Sequence, residues 1–186
     1  MEGWGLMAAV LGLDRDTVIK ICNTVKSGYV TPANYNCPGQ IVISGEKNAV
    51  QEAVRLAGDA GAKRAVPLAV SVPSHSSLMT DASKRLSELF DTINFQSPQT
   101  PIISNSDAVF LEKPEEIRQS LIKQLNNPLL WEDSVRLIIE KGVGTFIELG
   151  PKRVLSGLIK RINGDVKILN VEDTKSLSET LKALAW

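Results

Sequence analysis

His75 is the only histidine in a chain of 186 residues, and it lies in the stretch VPLAVSVPSHSSLM, Val66 to Met79. An imidazole titrates near neutrality, so it can take a proton from a hydroxyl nucleophile and hand it on. Ser74, Ser76 and Ser77 flank it, but they stand too close in sequence for the long-range geometry of a nucleophile and its base. The G-x-S-x-G elbow that presents a serine in hydrolase-like folds is absent from the sequence. Ser156, in RVLSGL, has a glycine on one side only and falls where a helix interior is expected. A lone histidine is more often just a packed or surface residue, and its type alone does not argue for chemistry. Its context favours chemistry: it follows an apolar run at the end of an expected strand, where open α/β sheets place their ligands. Pro73 also restricts the backbone just before it.

The elements that must position His75 are legible in the spacing. WGLMAAVLG reads as a strand, followed by a helix in LDRDTVIKICNTVK with Val18, Ile21, Cys22 and Val25 at helical intervals. Asp14 is its expected N-cap. YVTPANYNCPGQIVISG reads as two strands joined at Cys37-Pro38-Gly39. A second amphipathic helix follows, with Val50, Ala53, Val54 and Ala57 on one face. KRAVPLAVSV is the expected closing strand. The order β-α-β-β-α-β is the split arrangement of a ferredoxin-like unit.

Beyond Ser71 the pattern changes. A helix is expected in SSLMTDASKRLSELFDTI, a buried strand in TPIISNS, and a helix opened by Pro114. PLLWEDSVRLIIEKG reads as a helix closed by Gly142, then VGTFIELGP as a strand and KRVLSGLIKRI as a helix. VKILNV as a strand and SLSETLKALAW as a helix complete an α/β half-domain whose strands call for parallel neighbours. The expected fold class is α/β, a ferredoxin-like βαββαβ small subdomain over residues 3–70 and part of an α/β-hydrolase-like large subdomain over 71–186.

Bulk properties exclude several classes. Lys+Arg and Asp+Glu both number 21, so no overall basic field argues for nucleic acid. No apolar run approaches a membrane span, and MEGWGLMAAVLGLD lacks the pattern of a signal peptide. The expectation is a cytoplasmic protein with no nucleic-acid or membrane partner. Cys22 and Cys37 are too few and too far apart for a zinc site or a disulfide framework.

Four segments carry a resemblance. NYNCPGQIVISG (Asn34 to Gly45), AKRAVPLAVSVPSHSSLM (Ala62 to Met79), IKQLNNPLLWEDSV (Ile122 to Val135) and FIELGPKRVLSGLIKRI (Phe146 to Ile162) occur in an order and spacing similar to the malonyl-CoA:acyl carrier protein transacylases of fatty acid synthesis. V-P-S-H and N-x-N-x-P-G-Q are the most specific parts. These S-malonyltransferases are related to the acyltransferase domains of polyketide synthases and animal fatty acid synthase. The resemblance implies a ping-pong transfer of malonyl from coenzyme A, through a serine ester, to the phosphopantetheine thiol of acyl carrier protein. It implies no cofactor beyond the coenzyme A thioester that is the substrate.

By the same resemblance, His75 matches the catalytic histidine, and Gln124 a residue whose main-chain carbonyl orients the imidazole. Asn34 and Asn36 match asparagines facing the pantetheine groove, although turn residues bonding their own backbone would look the same. Lys63 and Arg64, and Lys152 and Arg153, are docking candidates for an acidic carrier protein, or simply solvated edges.

The departure from the family pattern is large. The oxyanion-hole glutamine, the serine of G-H-S-x-G and the malonate-binding arginine find no match. The chain is therefore expected to correspond to the C-terminal three-fifths of a family member, inactive alone. Exposed sheet edges would favour self-association. Two alternatives stay open: a catalytically dead fragment that binds carrier protein or coenzyme A, and a polyketide-type relative with another extender unit.

Overall fold

The computed structural model describes residues 5–184. Strand β1 (Gly5–Leu11) leads into helix α1 (Arg15–Thr24), strands β2 (Val30–Cys37) and β3 (Gln40–Glu46), helix α2 (Lys47–Asp59) and strand β4 (Arg64–Pro67). These strands form one sheet in the order β2-β3-β1-β4, and every neighbouring pair is antiparallel. The chain is α/β. Asp14 caps α1 as expected, its carboxylate accepting the Thr17 N–H at 2.7 Å. Gly39 takes φ +70° in the turn between β2 and β3, a conformation that favours glycine.

One face of this sheet is closed by the two helices. Ile43 and Val10 from the strands meet Val18 of α1 and Val50, Ala53 and Ala57 of α2. The spacing of the α2 residues is the i, i+3, i+4, i+7 stripe read from the sequence. The other face holds a smaller cluster of Met7, Ala33 and Val42, with Leu68 against it.

Strand β4 stops at Pro67, short of the expected run to Val72. Leu68 still donates to the Met7 carbonyl, but two tight turns then curl the chain away: Val70 N–H to Leu68 O and Ser74 N–H to Val72 O. A turn of 3-10 helix (Ser77–Met79) follows, with helix α3 (Thr80–Phe90), strands β5 (Ile102–Ile103) and β6 (Phe110–Leu111) and helix α4 (Pro114–Asn126). The expected buried strand TPIISNS is reduced to β5, whose Ile102 is 43% exposed and which pairs antiparallel with the unforeseen β6. A tight reversal, Ala108 N–H to Ser104 O, ends it early.

Helix α5 (Trp131–Glu140), strand β7 (Thr145–Leu149), helix α6 (Val154–Ile162), strand β8 (Lys167–Val171) and helix α7 (Thr174–Leu184) complete the described chain. β7 and β8 pair in parallel across the α6 crossover, as the sequence leads one to expect. The chain separates into two compact units, Met1–Ser134 and Val135–Trp186. Residue 70, the expected end of the first subdomain, falls inside the first unit because the later segment returns to β2. There Leu129 donates to Ala33 O and accepts from Tyr35 N–H, making a parallel bridge opposite Asn34.

Candidate active site

His75 sits in a short loop between β4 and α3, and two successive carbonyls of α4 hold it. Its ring Nδ1 lies 2.7 Å from the main-chain oxygen of Gln124, and its backbone N–H donates to Leu125 O at 3.1 Å. The last carbonyls of a helix have no partner within the helix, so the end of α4 offers acceptors in a fixed direction. A carbonyl can only accept. The proton of the neutral ring therefore sits on Nδ1, and Nε2 keeps its lone pair. That is the tautomer a general base needs.

The loop is strained and well braced. His75 has φ +59°, a left-handed conformation that costs about 1–3 kcal/mol for a residue with a side chain and persists only where surroundings enforce it. Pro73 is buried and seated against β1, since a Cβ on Gly5 would come within 2.3 Å of its ring. Ser76 is buried and its hydroxyl donates to Pro73 O at 2.6 Å. Ser83 of α3 donates to Ile122 O at 2.9 Å and so ties α3 to the last turns of α4. The sequence reading missed these braces; the serine run after Pro73 was their one visible sign.

The start of α4 carries a Glu116 carboxylate that accepts from Lys113 N–H at 3.2 Å, and Pro114 stands at its first turn. Beneath the helix, Ser104 and Ser120 hydroxyls lie 2.7 Å apart. Asp107 accepts from Ser106 Oγ at 2.8 Å and pairs with Lys123. Partial burial would raise the Asp107 pKa, but the bonds from Lys123 and Ser106 outweigh it and hold the carboxyl below its usual range.

Asn34 and Asn36 lie on β2 rather than in a turn, so the turn reading gives way. The ladder with β3 slips just before Asn34, between Pro32 and Asn34, and again at Asn36, between Tyr35 and Cys37. Irregularities of this kind re-aim side chains next to functional sites. The main chain at Asn34 reaches Leu129, on the segment that leaves the α4 end holding His75. A cavity of about 240 Å³ adjoins the histidine loop, lined by Val72, Pro73, Leu78, Met79, Asp81 and Arg85.

Lys63 and Arg64 are exposed where β4 begins. In the second unit, Lys152 and Arg153 are exposed just before α6; the Lys152 N–H donates to the Glu172 carboxylate at 2.8 Å. Ser156 is engaged: its hydroxyl donates to Glu148 at 2.6 Å, and the same carboxylate accepts the Leu155 and Ser156 N–H groups at the opening of α6. Burial pushes the Cys22 thiol up to about 12. No cluster of three or more metal-ligating His, Cys, Asp or Glu exists among the described residues, and none of their helices is long and apolar enough to cross a membrane.

The chain matches the family described as acyl transferase domain over residues 2–177. It is 42% identical over 184 residues to the malonyl CoA-acyl carrier protein transacylase of Bacillus subtilis, covering 98% of this chain and 58% of that protein. The Haemophilus influenzae protein of the same name is 42% identical over 178 residues, covering 95% and 57%. Among solved structures, an acyl carrier protein S-malonyltransferase from Vibrio cholerae matches with TM-score 0.93 at 41% identity, covering 97% of this chain and 59% of that one. A malonyl-transacylase in complex with a type II PKS acyl-carrier protein matches with TM-score 0.96 at 44% identity, covering 98% and 60%. The chain thus spans about three-fifths of the length of these relatives.

Proposed function

The chain belongs to the acyl transferase domain family, and from that footing we propose that it supplies the general base for malonyl transfer from coenzyme A to an acyl carrier protein. The observation that carries this reading is the bond from His75 Nδ1 to Gln124 O, which leaves Nε2 free to accept a proton. In the proposed reaction a serine hydroxyl outside this chain adds to the thioester carbonyl while Nε2 takes its proton. The carbon–sulfur bond then breaks, and the imidazolium returns the proton to the departing coenzyme A thiolate. The pantetheine thiol of the carrier protein attacks the malonyl ester in turn, its proton passing through His75 to the serine. The malonate-binding arginine and the oxyanion-hole donors also belong to residues outside this chain, and no cofactor takes part.

In this reading residues 3–70, of which 3 and 4 lie outside the described residues, are the ferredoxin-like small subdomain, which the strand order β2-β3-β1-β4 supports. Residues 71–186, of which 185 and 186 lie outside the described residues, are part of the larger, α/β-hydrolase-like subdomain. Asn34 and Asn36 face the pantetheine arm. Lys63, Arg64, Lys152 and Arg153 meet the acidic carrier protein. The short parallel pair β7 and β8, with Leu149 77% exposed, is the edge through which the chain alone would self-associate.

The test is intact mass after incubation with malonyl-CoA. The chain alone is expected to gain no malonyl group. A longer protein that also carries the serine segment is expected to gain one and to pass it to carrier protein. A malonyl ester on the chain alone would overturn the proposal, as would transfer at an undiminished rate by His75→Ala in the longer protein. Carrier-protein affinity without any transfer in the longer protein would favour a binding role instead.

A further inference from the structure

We propose that Ser76 is a positioning residue for His75, its buried hydroxyl holding the loop in the one conformation that turns ring Nδ1 onto the Gln124 carbonyl. The loop is anchored to the rest of the fold at two points: Pro73 is seated against Gly5 of β1, and the His75 N–H is bound to Leu125 O. Those anchors fix where the loop is, but not how the backbone between them is wound. The bond from Ser76 Oγ to Pro73 O, 2.6 Å long, spans His75 from within the loop and encloses its left-handed φ. Ser76 has no exposed surface, so no solvent molecule can substitute for its carbonyl partner without displacing packed atoms. With the hydroxyl gone, the His75 backbone is free to relax to negative φ, which swings the ring off Gln124. Free imidazole favours the opposite tautomer, with the proton on Nε2, and a ring loosened from its carbonyl returns to it.

The importance of this for transfer rests on the reading of His75 as the base, but the tautomer can be observed without any transfer. His75 is the only histidine, so the chain labelled with 15N in histidine shows one pair of ring nitrogens. In the unaltered chain with the ring neutral, Nδ1 is expected to be protonated and Nε2 unprotonated. In Ser76→Ala the two nitrogen signals are expected to converge as the tautomers mix, and Ser76→Thr, which keeps a hydroxyl, is expected to restore them. Ring nitrogens in Ser76→Ala identical to those of the unaltered chain would overturn the proposal. Should Ser76→Ala fail to fold, Ser76→Cys decides, because it still fills the site and weakens the donor. Unaltered nitrogens there refute the role, and partial mixing supports it. If the tautomer depends on Ser76 while the longer protein transfers malonyl without His75, the functional reading fails and the positioning role stands.

Discussion

His75 and Gln124, 49 positions apart, meet through a single 2.7 Å bond between a ring nitrogen and a main-chain oxygen. Since every residue has a carbonyl, the side chain at 124 is not what orients the ring. Gln124→Ala is expected to keep transfer by the longer protein near its original rate, whereas His75→Ala lowers it by about 10²–10⁴-fold. Steady-state malonyl transfer checks both. A loss in Gln124→Ala matching that in His75→Ala would move the role from the carbonyl to the side chain.

Asp107 gives α4 a pH-dependent footing. Desolvation opposes its charge, but the bonds from Lys123 and Ser106 prevail, so its folded pKa lies below the ordinary 3.8. A depressed carboxyl stabilises the fold above its unfolded pKa, and that stability is lost as pH falls through the folded value. Urea denaturation between pH 6 and 2, a range of about four units, is expected to show a steeper acid loss for the unaltered chain than for Asp107→Asn. Parallel curves would mean that the serine and lysine contacts do not act on the charge.

Both cysteines are buried, and the Cys22 thiol is pushed up to about 12. Since the thiolate is the reactive species, an aromatic disulfide reagent at neutral pH is expected to react slowly with the folded chain. The two thiols should react promptly once it is unfolded. Fast modification of Cys22 in the folded state would contradict its burial.

Ile43 lies in β3 against both helices and is 1% exposed. Ile43→Ala is expected to destabilise the first unit by about 2–5 kcal/mol, through lost burial and the cavity left behind. Ile19, 37% exposed on α1, is the control: Ile19→Ala should stay within about 1 kcal/mol, as surface changes usually do. Chemical denaturation followed by far-UV circular dichroism measures both.

Much of this architecture is legible in residue order, because periodicity and punctuation are local. Asp14 announces α1, Pro114 opens α4, and the Val50 to Ala57 stripe marks the buried face of α2. What escapes is set by partners far along the chain. The alternating run after Pro67 looks like more strand, but successive tight turns end it. Ile102 looks buried in TPIISNS, yet its two-residue strand leaves it largely open. At the candidate site His75 stands out by type, and Gln124 by resemblance. The left-handed φ of His75 and the burial of Ser76 carry no local signature, because both depend on α4 and β1 closing around the loop.

The 49-residue separation between the histidine and its carbonyl also sets an order of events during synthesis. A ribosome adding about 5–20 residues per second delivers Gln124 some 2–10 s after His75. By then the four strands of the first sheet have all been made, since β4 ends at Pro67. The sheet can form while the histidine loop is still unsupported, and the geometry at His75 is completed only when the end of α4 emerges and docks. A nascent chain arrested before residue 124 would therefore hold a finished sheet and an unaligned imidazole.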